Sequence, residues 1–318
     1  MEGSVGKLLL RRIVAGIAVL WVISVVLYAA TYVLPGDAAT RILGNRATPE
    51  AVEVLREKMG LNRSLPEQYY AWLTGVIRGD AGTSTTGKPV WPVLRERGGN
   101  SLTLAVVAFV LAVLIAFVVG VTSGVRAGRP GDAALSVAAL TGLSVPDFVL
   151  AGVLISVFAL ALGRLPPVSV LLADTTPLDR PEILVLPAIA LASPAGAWAS
   201  RYVRAAVVDM RTAPNVEAAR LAGLSPLRVL TRHLLPGVIG PTAQVMAATS
   251  AFLVGGAIVV EQVFAYPGMG SLLASAVGTN DVPVVLATGL VMATTVIVAC
   301  TAADIVGVLA NPRLRRAP

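Results

Sequence analysis

The sequence predicts an all-α polytopic membrane protein with six transmembrane helices and one long, folded loop outside the membrane. Three observations carry that prediction. Hydrophobic residues make up 56 % of the chain and charged residues 14 %, whereas an ordinary soluble domain carries about 25 % charge. Uncharged runs long enough to cross ~30 Å of hydrocarbon, which takes ~20 helical residues, recur along the chain. Arginines cluster beside alternate ends of those runs, as the positive-inside bias requires of short cytoplasmic loops.

The first span is 13–34, because Ile13–Leu34 runs 22 residues without a charge after a tail, 1–12, that carries Lys7, Arg11 and Arg12. That run exceeds the ~7–15 residues of a signal-peptide core, and Leu34-Pro35-Gly36-Asp37 lacks a small-x-small cleavage pattern, so the helix is expected to stay. The second span, 99–125, lies within the 28 uncharged residues of Gly98–Val125. The third, 133–162, is interrupted by Asp147 and the sixth, 284–309, by Asp304, while 183–203 and 241–262 supply the fourth and fifth.

With the N-terminus inside, the cytoplasmic segments hold fourteen of the 25 basic residues. Nine of the other eleven fall in the long loop 35–98, and long loops translocate largely regardless of charge. The short outer loops 163–182 and 263–283 contribute Arg164 and Arg180. Both termini, including the tail 310–318, are therefore expected in the cytoplasm.

Within 35–98, Thr48 is placed as the N-cap and Pro49 as the first residue of a helix through Ala51–Met59 that stops at Gly60. A second helix, Pro66–Ile77, carries Tyr69, Tyr70, Trp72 and Leu73 and stops before Gly79. Gly82-Thr83-Ser84-Thr85-Thr86-Gly87-Lys88 fits the first seven positions of a phosphate-binding loop. Pro89 then stands where the magnesium-binding hydroxyl belongs, and no apolar strand precedes Gly82. The chain is expected to bind no ATP.

Other chemistry finds little support. The net charge of +7 sits in membrane-flanking turns, so it carries no nucleic-acid signal. Cys300 is the sole cysteine and His233 the sole histidine; neither a metal site nor a catalytic group is expected. Cys300 is expected as a buried small hydrophobe.

The cytoplasmic loop 204–240 is different. Pro214 presets the start of a helix over Asn215–Ala222, and Gly223 supplies the left-handed residue that ends one. Ser225-Pro226 then starts a second helix to about Leu235, ended by Pro236-Gly237. Two short helices joined at a glycine make a knob suited to a partner's groove. Ala218, Ala219 and Ala222 would allow close approach, and Glu217 would offer a carboxylate. Attraction of Arg211, Arg220, Arg228 and Arg232 to lipid headgroups is the alternative, and periodicity alone does not choose.

The order Glu217-Ala218-Ala219, three residues, Gly223, then a Leu-Pro step at Leu235-Pro236 resembles the EAA loop of permease subunits in binding-protein-dependent ABC importers. The resemblance extends over nearly the whole chain to the dipeptide and oligopeptide permeases of the DppB/OppB type, which also include nickel transporters. Leu10-Arg11-Arg12-Ile13 through Leu34-Pro35-Gly36-Asp37 is similar to their opening. Met59-Gly60-Leu61, Gln68-Tyr69, Trp72-Leu73, Arg78-Gly79-Asp80 and Thr86-Gly87-Lys88-Pro89-Val90 are similar to their long outer loop. Gly142-Leu143-Ser144-Val145-Pro146, Gly223-Leu224-Ser225, Arg232-His233, Glu261, Val263-Phe264, Pro267-Gly268-Met269-Gly270, Asp281-Val282-Pro283 and Asn311-Pro312-Arg313 follow in the family's order.

This resemblance implies the type I importer permease fold, with a permease domain at about 97–312, in a bacterial plasma membrane. It implies half of a peptide-translocating pore, completed by a second, similar permease. Two ATPase subunits, which bind the ATP and Mg, would dock on the knob through Glu217, Ala218, Ala219, Gly223, Leu224, Arg228 and His233. An external binding protein would deliver substrate, with nickel chelates or another small solute as the alternative cargo. A self-contained secondary transporter or an intramembrane hydrolase are the rival classes, the latter through Asp147 and Asp304.

Two departures matter. His233 stands where broader EAA loops prefer an aliphatic residue, although the peptide-type permeases are similar to this sequence in having His there, and interfacial packing is its expected role. Asp147 replaces a residue that is small and polar in the family, beside the Pro146 kink and near Ser144. A carboxylate within a span faces a bundle interior or a water-filled cavity. Ser144, Pro146, Asp147 and Glu261 are therefore the pore candidates, with a structural ion pair as the other reading of Asp147.

Overall fold

The computed structural model describes residues 2–33, 48–59, 62–172 and 175–310. Twelve helices appear among them. In chain order they are α1 (Glu2–Val33), α2 (Pro49–Met59), α3 (Leu65–Ile77), α4 (Val90–Val125), α5 (Pro130–Ser144) and α6 (Asp147–Leu154). A π-helical stretch, Ile155–Ala161, extends α6. There follow α7 (Glu182–Arg211), α8 (Pro214–Leu221), α9 (Pro226–Val229), a π-helical turn Leu230–Leu234, α10 (Leu235–Val263), α11 (Met269–Thr279) and α12 (Val282–Ala310). Among the described residues five helices are long and apolar enough to cross a membrane, or six spans if one bent pair counts as one.

That bent pair corrects the expected third helix. α5 and the α6 segment meet at an angle of 102°. Pro146 has no N–H to give to the Gly142 carbonyl, and Val145 is held extended before it (ψ 121°), as residues preceding proline are. Other limits also move. α7 continues past Arg201-Tyr202-Val203-Arg204 to Arg211, and α11 occupies a stretch expected to be loop. Cys300 is exposed, not buried. Leu34-Pro35-Gly36-Asp37, Gly60 and the closing Asn311-Pro312-Arg313 lie outside the described residues.

The chain forms two compact units. The first takes Met1–Leu9, Leu102–Tyr266 and Val296–Pro318. Its axis is α7, the most deeply buried of the apolar helices among the described residues. Pro187 within α7 leaves the Ile183 carbonyl without its i+4 donor, and the buried Ser169 hydroxyl supplies that bond at 2.8 Å. Ser169 N–H in turn donates to the Phe264 carbonyl at the end of α10, 2.7 Å away.

Along α4 the residues Ala108, Ala112, Ala116, Gly120 and Gly124 recur every fourth position, and the three alanines are fully buried. A Cβ on Gly120 would stand 2.6 Å from the Ser200 carbonyl oxygen, and one on Gly124 2.6 Å from Val207. Gly196 of α7 is equally close to Ile115, at 2.8 Å. Small residues at this spacing let two membrane helices pack backbone to backbone.

The second unit takes Leu10–Ser101 and Pro267–Thr295. Its buried core comprises Ala81, Val90, Leu94, Met269, Ala276, Val284, Val285 and Ala287. Both loop helices read from the sequence are present: Thr48 Oγ1 accepts from Ala51 N–H at 3.2 Å, the bond of an N-cap. Asn280 closes α11 in the left-handed region (φ 52°). In the stretch that resembles a phosphate-binding loop, the Ser84 hydroxyl, the Thr85 N–H (3.2 Å) and the Thr85 hydroxyl (3.1 Å) all donate to one carboxylate oxygen of Asp281.

Candidate functional site

The knob over 214–234 is built from its own short-range geometry. Ala213 is extended (ψ 139°) and Pro214 opens α8. Ala222 caps it, and Gly223 adopts φ 75°. Leu224 N–H reaches back to the Ala219 carbonyl (3.2 Å) and Gly223 N–H to the Arg220 carbonyl (3.0 Å). Those two bonds define a Schellman cap, which needs the left-handed residue that glycine adopts without penalty. Ser225 is again extended before Pro226 (ψ 146°), so α9 leaves in a new direction.

The second helix does not end at Pro236-Gly237. Residues Pro226–Val263 form one continuous helical segment. Leu235 N–H bonds to the Leu230 carbonyl five residues back, and this π-helical turn absorbs the proline. The knob is therefore one short helix, α8, leaning on the start of a long one. Asn215 Nδ2 ties the two together by donating to the His233 carbonyl at 3.3 Å.

Inward, Val216, Ala219, Val229 and Leu234 are buried with Val203 and Val207 of α7 in one apolar cluster. Ala219, expected with Ala218 and Ala222 at a partner's surface, thus belongs to the knob's own core, one turn from Val216 on the same face. Glu217, Ala218, Ala222, Gly223 and Arg228 are exposed, and Leu224 and His233 are half-buried. Two leucines face outward on either side of the turn, Leu221 at 83 % exposure and Leu227 at 71 %. A cleft of about 340 Å³ opens beside them, walled by Val125, Arg211, Arg220, Leu224, Pro226 and Leu230 among others.

The base of the knob is fixed chiefly by a carboxylate, Asp132, whose role sequence reasoning passed over. Arg204 on α7 makes two bonds to the Asp132 carboxylate, through Nε at 2.7 Å and a terminal nitrogen at 2.8 Å. Ser123 Oγ (2.5 Å) and Gly128 N–H (3.0 Å) donate to the same carboxylate. Arg211, the last residue of α7, donates to the Gly124 carbonyl at 3.1 Å. The signal was Asp132 standing in an Arg-Ala-Gly-Arg-Pro-Gly-Asp turn, which marked only a helix boundary in the sequence.

The pore candidates separate. Ser144 and Pro146 are exposed at the α5–α6 break, and Asp147 is half-buried just beyond it. Asp147 lies over Gly256 of α10, where an added Cβ would come within 3.3 Å of its Oδ2. Glu261 is fully buried in the protein, with Phe264 and Tyr266 beside it. Its carbonyl accepts from Tyr266 N–H at 2.8 Å, holding the turn that follows α10. Burial, and the Glu261 charge after it, hold the Tyr266 phenol well above its ordinary range.

The family described as "Binding-protein-dependent transport system inner membrane component" matches residues 112–316, and the N-terminal region described for such components matches residues 5–101. The chain belongs to this family. Curated relatives include the glutathione transport system permease protein GsiC of Escherichia coli K12 and that of Salmonella choleraesuis SC-B67. Each is 31 % identical over 307 residues, 96 % of this chain and 98 % of the relative. A solved amino acid ABC transporter, crystallised with histidines, is similar over 71 % of this chain and 94 % of its own, at 15 % identity and TM-score 0.47. As a binding-protein-dependent importer permease, the chain is a membrane-spanning transporter subunit and not an enzyme.

Proposed function

We propose that the chain forms half of the translocation pore of an ATP-driven importer of peptides or a peptide-like solute. A second permease subunit completes the pore, an external binding protein delivers the cargo, and two ATPase subunits that hold ATP and Mg dock on the knob. The chain's termini and the knob face the cytoplasm. The observation that carries the docking is the division of the knob into two faces. Val216, Ala219, Val229 and Leu234 make it rigid from within, while Leu221 and Leu227 present apolar surface to a partner. Exposed apolar side chains rimmed by charge, here Glu217, Arg220 and Arg228, mark a protein or membrane contact, and the resemblance of this run to an EAA loop favours the protein. Glutathione, the cargo in the relatives' name, is a small peptide, which favours peptide cargo over nickel chelates.

Asp147 with Ser144 and Pro146 faces the transport path in this reading. No hydrogen bond or ion pair holds its carboxylate among the described residues, so it is available to a cationic group such as a peptide amino terminus.

The test is co-purification. The chain is expressed with its permease partner and ATPases, and wild type is compared with Leu221→Asp and with Glu217→Lys. The expected result is loss of the ATPases with the permease pair intact. Full ATPase retention by both variants together would overturn the docking and favour a loop resting on lipid headgroups.

A further inference from the structure

In α1 the span Leu10–Thr31 is almost bare. Ser24 is the exception at 2 % exposure. Its hydroxyl donates to the Trp21 carbonyl at 2.7 Å. The single hydroxyl hydrogen is thereby used, so in the 2.8 Å contact with Tyr69 Oη of α3 the tyrosine is the donor. Tyr28 of α1 closes the contact, with ring centroids 5.5 Å from Tyr69 and 5.7 Å from Trp72.

This packing sets a depth. Ser24 lies seven residues before Thr31, about 10 Å along the helix axis at 1.5 Å per residue. α3 is therefore held beside apolar span, and not above it.

α3 also has three distinct faces. Gln68, Tyr69 and Trp72 turn toward α1. A second stripe, Pro66, Tyr70 and Ile77, falls at spacings of four and seven, and both Tyr70 (68 %) and Ile77 (76 %) are exposed. Glu67 and Arg78 occupy a third, polar face. An apolar stripe beside a polar one is what a helix lying in a membrane interface displays, and Tyr and Trp concentrate at that level.

We infer that α3 is an interfacial helix, sunk beside α1 with its Pro66–Tyr70–Ile77 stripe in the boundary between headgroups and acyl chains of the leaflet on its side. Its partner is the lipid itself, and the loop's contact with any external protein is left to other faces. The inference uses only the membrane location and is independent of ATPase docking at the knob.

The test places single cysteines at Tyr70, Ile77 and Glu67 in a Cys300→Ser background, labels each with an environment-sensitive fluorophore, and reconstitutes the assembled transporter in lipid nanodiscs. Lipids spin-labelled at a shallow acyl position are expected to quench the probes at 70 and 77 severalfold more than the one at 67, and aqueous iodide to show the reverse order. Iodide quenching at both 70 and 77 with no effect of spin-labelled lipid would overturn the inference. So would protection of those positions only when binding protein is added, which would make the stripe a protein contact. The two apolar positions report independently, so misfolding of one variant leaves the other to decide.

Discussion

Gly120→Ala is the sharpest test of the α4–α7 packing, because two opposed effects have known sizes. Replacing glycine by alanine inside a helix gains about 1 kcal/mol of intrinsic propensity. Here the new methyl would stand 2.6 Å from the Ser200 carbonyl oxygen and the Val203 Cβ, and 2.8 Å from Val203 Cγ1. Carbon contacts are optimal at about 3.5–4.0 Å, so the helices must part by about 1 Å. A backbone carbonyl cannot rotate away, and a β-branched valine on a helix has one strongly preferred rotamer. The overpacking cost therefore falls toward the upper part of about 1–3 kcal/mol. The net is a destabilisation of about 1–2 kcal/mol, or a fall of a few degrees in unfolding temperature.

Thermal unfolding of the detergent-purified complex, followed by intrinsic fluorescence, measures it. Gly255→Ala on α10 is the control, since among the described residues no atom outside its own stretch of helix lies within 4 Å of the added Cβ. It is expected to leave the midpoint unchanged or raise it. A Gly120→Ala midpoint equal to or above wild type would refute the close approach of α4 and α7.

Two other outcomes follow from the site. Asp132→Asn is expected to lower substrate moved per ATP hydrolysed severalfold while basal hydrolysis continues, because the knob's base loses its tie to the α4–α5 turn; the swap Asp132→Arg with Arg204→Asp should recover part of the coupling. Equal coupling in wild type and Asp132→Asn would remove the mechanical role. Asp147→Asn is expected to slow uptake of cationic peptides relative to neutral ones, read as a ratio of initial rates in proteoliposomes; an unchanged ratio would return Asp147 to a structural reading.

The apolar spans were legible because hydrocarbon thickness demands length whatever the packing. Their ends were not. Reading the fourth span as finishing at Val203 assumes that arginine stops a span, yet Arg204 is neutralised by Asp132 and Arg211 is bonded to a carbonyl of α4. Pro146 announced a kink, but its size depends on what α5 and α6 pack against. In the knob, Pro214 and Gly223 fixed the local backbone, since only one chain path satisfies each. The inward turn of Ala219 needed α7 beside it, and Pro236 looked like a stop because a π-helical turn leaves no trace in composition.

The resemblance to a phosphate-binding loop shows where a motif's meaning divides. Gly82 and Gly87 adopt φ of 81° and 80°, and the turn between them aims two hydroxyls and an N–H at one point. Turns of this kind accept anions of any origin. The missing magnesium hydroxyl and the missing strand spoke against a nucleotide, and the carboxylate that the turn holds in this structure is the chain's own Asp281, nearly two hundred residues away in sequence. The Ser84-Thr85 and Asp281-Val282-Pro283 segments are thus halves of one contact, which fastens the start of α12 to the loop before α4. What the spacing encoded was an anion-accepting turn, and the fold supplied its occupant.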